Sequence, residues 1–278
     1  MIIYKKYSIL SYLTILLFVS CDGLKKDSVS GSRLTRSSVD VRVEKELEYP
    51  VSEDFFQITN ISNAKIIYRQ GDYSVVAKGD SASLSYLSID FDGGILTLST
   101  PMESNNDYHG YLSMSDMEVY VSCPDLRAMA LCGGGGFESD TLKCEALQLG
   151  GLVSGSISVD FISCKTFRYD SNGSTSVSIG RIESDESTII STGSGNISMD
   201  IKSKTKSYLD LKGSTTFSGH VESPEIESFI ETEGSVSLDV QTDDLRLSAL
   251  QVSISLNGHA TNQDIHTSNR TVISNQLK

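Results

Sequence analysis

After residue 40 the chain alternates apolar and polar residues with a period of two. The segments "SISVDF" (156–161), "NISMDI" (196–201) and "SVSLDV" (235–240) show it most clearly. Each predicts a strand with one apolar and one polar face. No segment combines a 3.6-residue apolar stripe with capping signals, so helix is expected to be scarce.

The alternating segments recur at a fixed interval. A small or polar residue precedes each one, at Cys123, Cys144, Cys164, Ser184, Ser203, Ser223 and Asp243, in steps of 21, 20, 20, 19, 20 and 20. Nine to eleven residues later comes a glycine: Gly134, Gly155, Gly173, Gly195, Gly213, Gly234. Self-similarity at this period predicts a solenoid, whose units cannot bury their apolar sides alone. Coils of about 20 residues with short strands predict an all-β parallel β-helix over residues 121–270, followed by a tail over 271–278. Stacked coils lie about 4.8 Å apart. Val159/Phe161, Met199/Ile201 and Leu238/Val240 are expected to point inward. The glycines mark corners that need positive φ or close backbone approach. Cys123, Cys144 and Cys164 are expected to share one corner in three successive coils as free thiols, where later coils use serine.

Residues 40–120 lack the regular period. Apolar alternation there, with turns at Gly71-Asp72 and Asp92-Gly93-Gly94, predicts irregular or antiparallel strands that cover the N-terminal end of the solenoid.

The first twenty residues follow another pattern. A basic start, "MIIYKK", precedes the apolar "YSILSYLTILLFVS" and then Cys21. This reads as a signal peptide (1–20) with Cys21 as a lipidation site, followed by a polar tether over 21–39. The implied location is the outer membrane, lipid-anchored, on the cell surface or the periplasmic face. Formal charge is −13, and losing Lys5 and Lys6 with the leader makes it more negative. An acidic chain without a basic stripe is unsuited to nucleic acid.

The run "ALCGGGGF" (130–137) raises the question of a phosphate loop. Phe137 and Glu138 stand where a P-loop needs Lys and Ser/Thr, and a strand rather than a helix is expected next. The nucleophile-elbow frame is also missing. The glycines are therefore read as a corner.

Several segments together resemble a known family: "FFQITNISNAKIIYRQGDYSVVAKGD", "DGGILTLST", "MEVYVSCPDLRAMALCGGGG", and the Gly-Ser turns in "VSGSISVD", "SNGSTSV", "TGSGNISMD", "KGSTTF" and "EGSVSL". Over roughly residues 50–260 they look like the head GIN domain, an adhesin-labelled family of exported lipoproteins of Bacteroidetes-type bacteria. The resemblance implies a β-helical fold and an envelope location, and it supplies no catalytic residues. Ala249 to Ser253 departs from the pattern.

Aligning the coils brings one further set together. Asp140, Asp160, Gly180, Asp200, His220, Asp239 and His259 follow in steps of 20, 20, 20, 20, 19 and 20. Asp200, His220, Asp239 and His259 are expected to form an outward line, either a solvated face or a ligand or divalent-metal site. Asp200 and Asp239, about 10 Å apart along the stack, approach an inverting-glycosidase spacing. In the loop "PMESNNDYHGYL", Tyr108, His109 and Tyr111 are candidates for stacking on sugar. No cofactor, resident metal or catalytic residue is assigned. The reading is a non-catalytic envelope binding module for polysaccharide or protein partners. A carbohydrate-active β-helix enzyme and a structural spacer are the alternatives.

Overall fold

The computed structural model describes residues 44–100, 117–268 and 270–278. The leader, Cys21, the tether and the Tyr108/His109/Tyr111 loop lie outside the described residues. In chain order the elements are β1 (Glu44–Tyr49), β2 (Gln57–Asn60), β3 (Lys65–Gln70), β4 (Ser74–Asp80), helix α1 (Ser81–Tyr86), β5 (Ser88–Asp92), β6 (Ile95–Ser99), β7 (Glu118–Cys123), β8 (Ala128–Leu131) and β9 (Gly136–Lys143). There follow β10 (Ala146–Gly151), β11 (Gly155–Ser163), β12 (Thr166–Ser171), β13 (Thr175–Ser191), β14 (Asn196–Gly213), β15 (Thr216–Glu222), β16 (Glu225–Thr232), β17 (Ser235–Ala249), β18 (Ser253–Thr267) and β19 (Val272–Leu277).

From β8 onward each coil makes one strand on a first wall, turns, and returns along a second wall before climbing to the next coil. The result is a β-solenoid of about seven turns of ~20 residues. Its strands pair in parallel with the coils above and below, for example β10 with β8 and β12 on the first wall, and β11 with β9 and β13 on the second.

Period-two alternation sends every second side chain inward, and parallel register stacks like on like. On the second wall the ladder runs Val119, Ile66, Phe137, Ile157, Val177, Ile197, Phe217, Val236, Ile254. On the first it runs Leu96, Ile58, Met129, Leu149, Tyr169, Ile189, Leu209, Ser228, Leu247. All of these are buried. Each apolar member contributes roughly 1.5–3 kcal/mol from burial. Inner corners carry hydroxyls that satisfy one another: Ser184, Ser187, Ser203 and Ser207 are linked by bonds of 2.8–3.2 Å.

The N-terminal end holds a rearrangement. Strand β2 lies between β6 and β8, and β3 lies between β7 and β9, all in parallel. Residues 57–70 therefore form a complete coil, inserted between one built from β6 and β7 and the one starting at β8. The corner from β7 to β8 climbs two rungs. Antiparallel strands cover the end as expected, with β5 on β6, β4 on β7 and β1 on β4. Helix α1, N-capped by Asp80, accompanies them, with Leu84 buried at its inner side and Leu87 buried just past its end.

The insertion separates the cysteines. Gln70, not Cys144, is the register partner of Cys123, so Cys123 and Cys144 are not on successive rungs. Cys144 and Cys164 are, and Cys123, Cys144 and Cys164 are free thiols. One expected core residue also changes place. Phe161 is only half-buried and Ile162 points inward instead, because the inward phase slips by one at Asp160.

The glycine run now has its reason. A Cβ on Gly133 would sit 2.3 Å from the Ser62 carbonyl oxygen, and one on Gly135 2.2 Å from that of Ala64. The run packs directly on the turn of the inserted coil, so close approach, not positive φ, requires glycine there. Later turns repeat this: a Cβ on Gly173, Gly195 or Gly234 would sit 2.1–2.3 Å from a carbonyl oxygen of the preceding coil. Where the family pattern lapses, Gln251 adopts φ 55°.

Candidate functional site

The outward side of the second wall carries three polar columns. The middle one is unbroken: Ser158, Ser178, Ser198, Ser218, Ser237, Ser255 and Ser274 are register partners in seven successive coils. Beside it, two residues earlier in each strand, stand Ser156, Ser176, Asn196, Thr216, Ser235 and Ser253. Parallel stacking spaces the members of a column by about 4.8 Å, and the pleat separates neighbouring columns by about 6.7 Å. Ser255 accepts a bond from Asn257 Nδ2 at 3.3 Å. Among the described residues, no side-chain bond occupies the other six hydroxyls of the middle column. They form a planar lattice of donors and acceptors facing solvent.

The third column contains most of the Asp/His line. Asp200 pairs in register with His220, and His220 with Asp239, its Nδ1 2.9 Å from Asp239 Oδ2. The next member is Asn257, then Gln276. His259 is not part of the line, because it pairs with Gln241, two residues further along. The register step between these two strands is 18 residues, Asp239 to Asn257, so sequence steps of 20 do not equal rungs there.

Toward the N-terminus the column changes at a bulge. Ile179 pairs with Met199 and Ile182 with Ile201, so Gly180 and Arg181 together oppose Asp200. Arg181 is thereby aimed at Asp200, Nη1 to Oδ2 3.2 Å, and it also pairs with Glu183 at 3.1 Å. The other carboxylate oxygen of Asp200 is buried without a hydrogen-bond partner. No group of three or more metal-ligating side chains converges among the described residues. Arg181 on Asp200 and Asp239 on His220 make two separate internal pairs along this column.

The serine column was missed in reading the sequence. Its signal was the Ser two residues before each Asp/His position, in "SISVD", "SVSIG", "NISMD", "TFSGH", "SVSLD" and "SISLN". Also unforeseen is an open groove of about 420 Å³ near the N-terminal end, with Tyr49, Glu53, Asp54 and Tyr73 in its lining.

Comparison with known proteins agrees with this architecture. A family model described as "Putative auto-transporter adhesin, head GIN domain" matches residues 54–200. No curated protein matches in sequence. The crystal structure of a "putative adhesin" from Parabacteroides distasonis superposes with a TM-score of 0.62 at 13% identity, covering 84% of this chain and 95% of that one. A "putative adhesin" from Bacteroides fragilis gives 0.56 at 16% identity, covering 84% and 97%. A "putative lipid binding protein" from Parabacteroides distasonis gives 0.53 at 15% identity, covering 84% and 95%. At these identities the likeness shows the fold alone.

Proposed function

The chain belongs to the head GIN domain family, and on that premise we propose that it is a non-catalytic envelope binding module whose second wall holds an extended, uncharged polysaccharide. The observation that carries this reading is the seven-serine column with its Ser/Thr/Asn neighbour. A rigid ladder of free hydroxyls at constant spacing matches a polymer that repeats its own hydroxyls along one axis. The adjoining Asp200–His220–Asp239 column and the overall negative charge favour a neutral polymer over an anionic one.

The same proposal places the protein at the outer membrane, held by an acyl chain on Cys21. The apolar leader ending at a cysteine supports this placement. Cys21→Ser is expected to move the protein from the membrane fraction to the soluble one.

The binding reading is tested with the full-length chain on a panel of neutral and anionic polysaccharides. Saturable binding to a neutral polymer is expected, weakened at least tenfold by the pair Ser178→Lys and Ser218→Lys with the melting temperature unchanged. Release of new reducing ends would favour a carbohydrate-active enzyme instead. Absence of both binding and turnover would leave a structural spacer.

A further inference from the structure

The two ends of the solenoid are finished differently. At the N-terminal end the outermost strands are charged: β1 carries Glu44, Lys45, Glu46 and Glu48, and β5 carries Asp90 and Asp92. Charges of this kind block strand pairing. At the other end, β19 (Val272–Leu277, "VISNQL") has no charge, proline or glycine and forms the last rung of the second wall. The second half of β18, Asn262–Thr267, forms the last rung of the first wall. Neither has a strand partner on its outer side among the described residues.

Hydrogen-bond direction shows which groups are free. The amides of Val272 and Lys278 donate inward, to the carbonyls of Val252 and Gly258, each at 3.0 Å. Alternation then turns the backbone groups of Ile273, Asn275 and Leu277 to the open edge. One of them, the Leu277 amide, is taken up by Asn275 Oδ1. On the first wall the Ser268 amide donates inward to Ala249 at 3.1 Å, so Gln263, Ile265 and Thr267 face the edge. Inside this last coil Ile265, Ile273 and Leu277 are only partly buried.

We infer that this end docks a second copy of the chain, tail to tail, forming a closed two-fold dimer. Antiparallel pairing of β19 with its copy joins open-edge residues when Asn275 lies opposite Asn275 of the second copy, exchanging two backbone bonds. Ile273 then meets Leu277 across the axis. The same axis brings Ile265 opposite its own copy on the first wall. Charge permits a second copy at this end: residues 253–278 carry one carboxylate, Asp264, against Arg270 and Lys278, in a chain of net charge −13. The charged N-terminal strands oppose head-to-tail stacking, so the contact closes instead of propagating. Gln263, Thr267 and Asn275 at inward positions of the last coil suit an interface that also tolerates water, and the association is reversible. The second walls of both copies face the same way, and the serine column of each, ending at Ser274, meets Gln276 of the other.

Sedimentation velocity on the full-length chain over a hundredfold concentration range tests the inference. A reversible monomer–dimer equilibrium is expected. Asn275→Pro removes an open-edge amide without touching the bonds to β18, and should weaken the dimer at least tenfold with circular dichroism unchanged. Asn275→Cys should give an oxidised dimer cross-linked at that position, since the Cα separation of such a pair, about 5.5 Å, suits a disulfide. A wild-type chain that stays monomeric overturns it. So does an association that survives Asn275→Pro while the Asn275→Cys variant stays uncross-linked.

Discussion

The side-chain carbonyl of Asn63 accepts a hydrogen bond from the backbone amide of Gly134 at 3.1 Å, across 71 residues of chain. The bond fastens the inserted coil to the first regular one. Asn60 prepares the turn by accepting from the Ser62 amide and hydroxyl and donating to the Ala64 carbonyl. Alanine at Gly133 or Gly135 must displace backbone carbonyls and should cost about 2–3 kcal/mol each, as overpacking does. Gly134→Ala meets only the Asn63 side chain, at 2.8 Å, and should cost about 1 kcal/mol or less. Urea midpoints of the three variants check the ranking; equal losses would contradict it.

Ser228 occupies an apolar ladder between Leu209 and Leu247, buried with its hydroxyl unpartnered. An unmade buried bond costs about 1–3 kcal/mol. Ser228→Ala is therefore expected to stabilise the fold by about 1 kcal/mol, raising the urea midpoint. A lower midpoint would mean that a water serves the hydroxyl.

Thiol reactivity should follow position in the corner. The neighbouring Cys164 thiol hydrogen-bonds the Cys144 sulfur and holds the Cys144 pKa below its ordinary value, despite burial. That same bond, with burial, pushes Cys164 up, while burial pushes up Cys123. Because the thiolate is the reactive species, Cys144 should be alkylated well before Cys164 and Cys123 at pH 8, as read by mass spectrometry of timed samples. Cys164→Ala removes the bond from Cys164 and should slow Cys144.

Alkaline stability follows from two buried tyrosines. Burial pushes Tyr169 up to about 12 and raises Tyr68 as well, helped by its contacts with Cys123. Below pH 10 both are protonated folded or unfolded, so stability is independent of them there. Above pH 10 the unfolded chain releases these protons first, and stability falls as pH rises toward 12. The loss assigned to Tyr169 is about 2–3 kcal/mol. Ultraviolet titration should show these two phenols ionising only with unfolding, and Tyr169→Phe should reduce the pH dependence.

Much of the regular stack is legible in the chain. "NISMDI" and "SVSLDV" state which side chains go inward, and Met199, Ile201, Leu238 and Val240 are buried as the alternation requires. The turn glycines and the Asp200–His220–Asp239 line follow from counting in twenties. Counting fails where one strand gains or loses a residue against its neighbour. The bulge at Gly180–Arg181 aims Arg181 at Asp200, and the shortened turn before β18 moves His259 out of the line. Residue number keeps no record of either slip.

Alternation and period are local properties, set by which side chains avoid water and how few residues a coil needs. They therefore specify strands, inward faces and a solenoid before any contact is made. The order of coils in space is different in kind. Residues 57–70 carry the same alternation whether they cap the end or enter the stack, and Cys123 and Cys144 are 21 residues apart in either case. Only long-range packing distinguishes them: Ile66 on Phe137, Tyr68 under the Cys123 carbonyl at 2.8 Å, and three glycines without side chains to keep the inserted turn out. Those contacts exist only once the chain has closed on itself, which is why the inserted coil belongs to the tertiary structure.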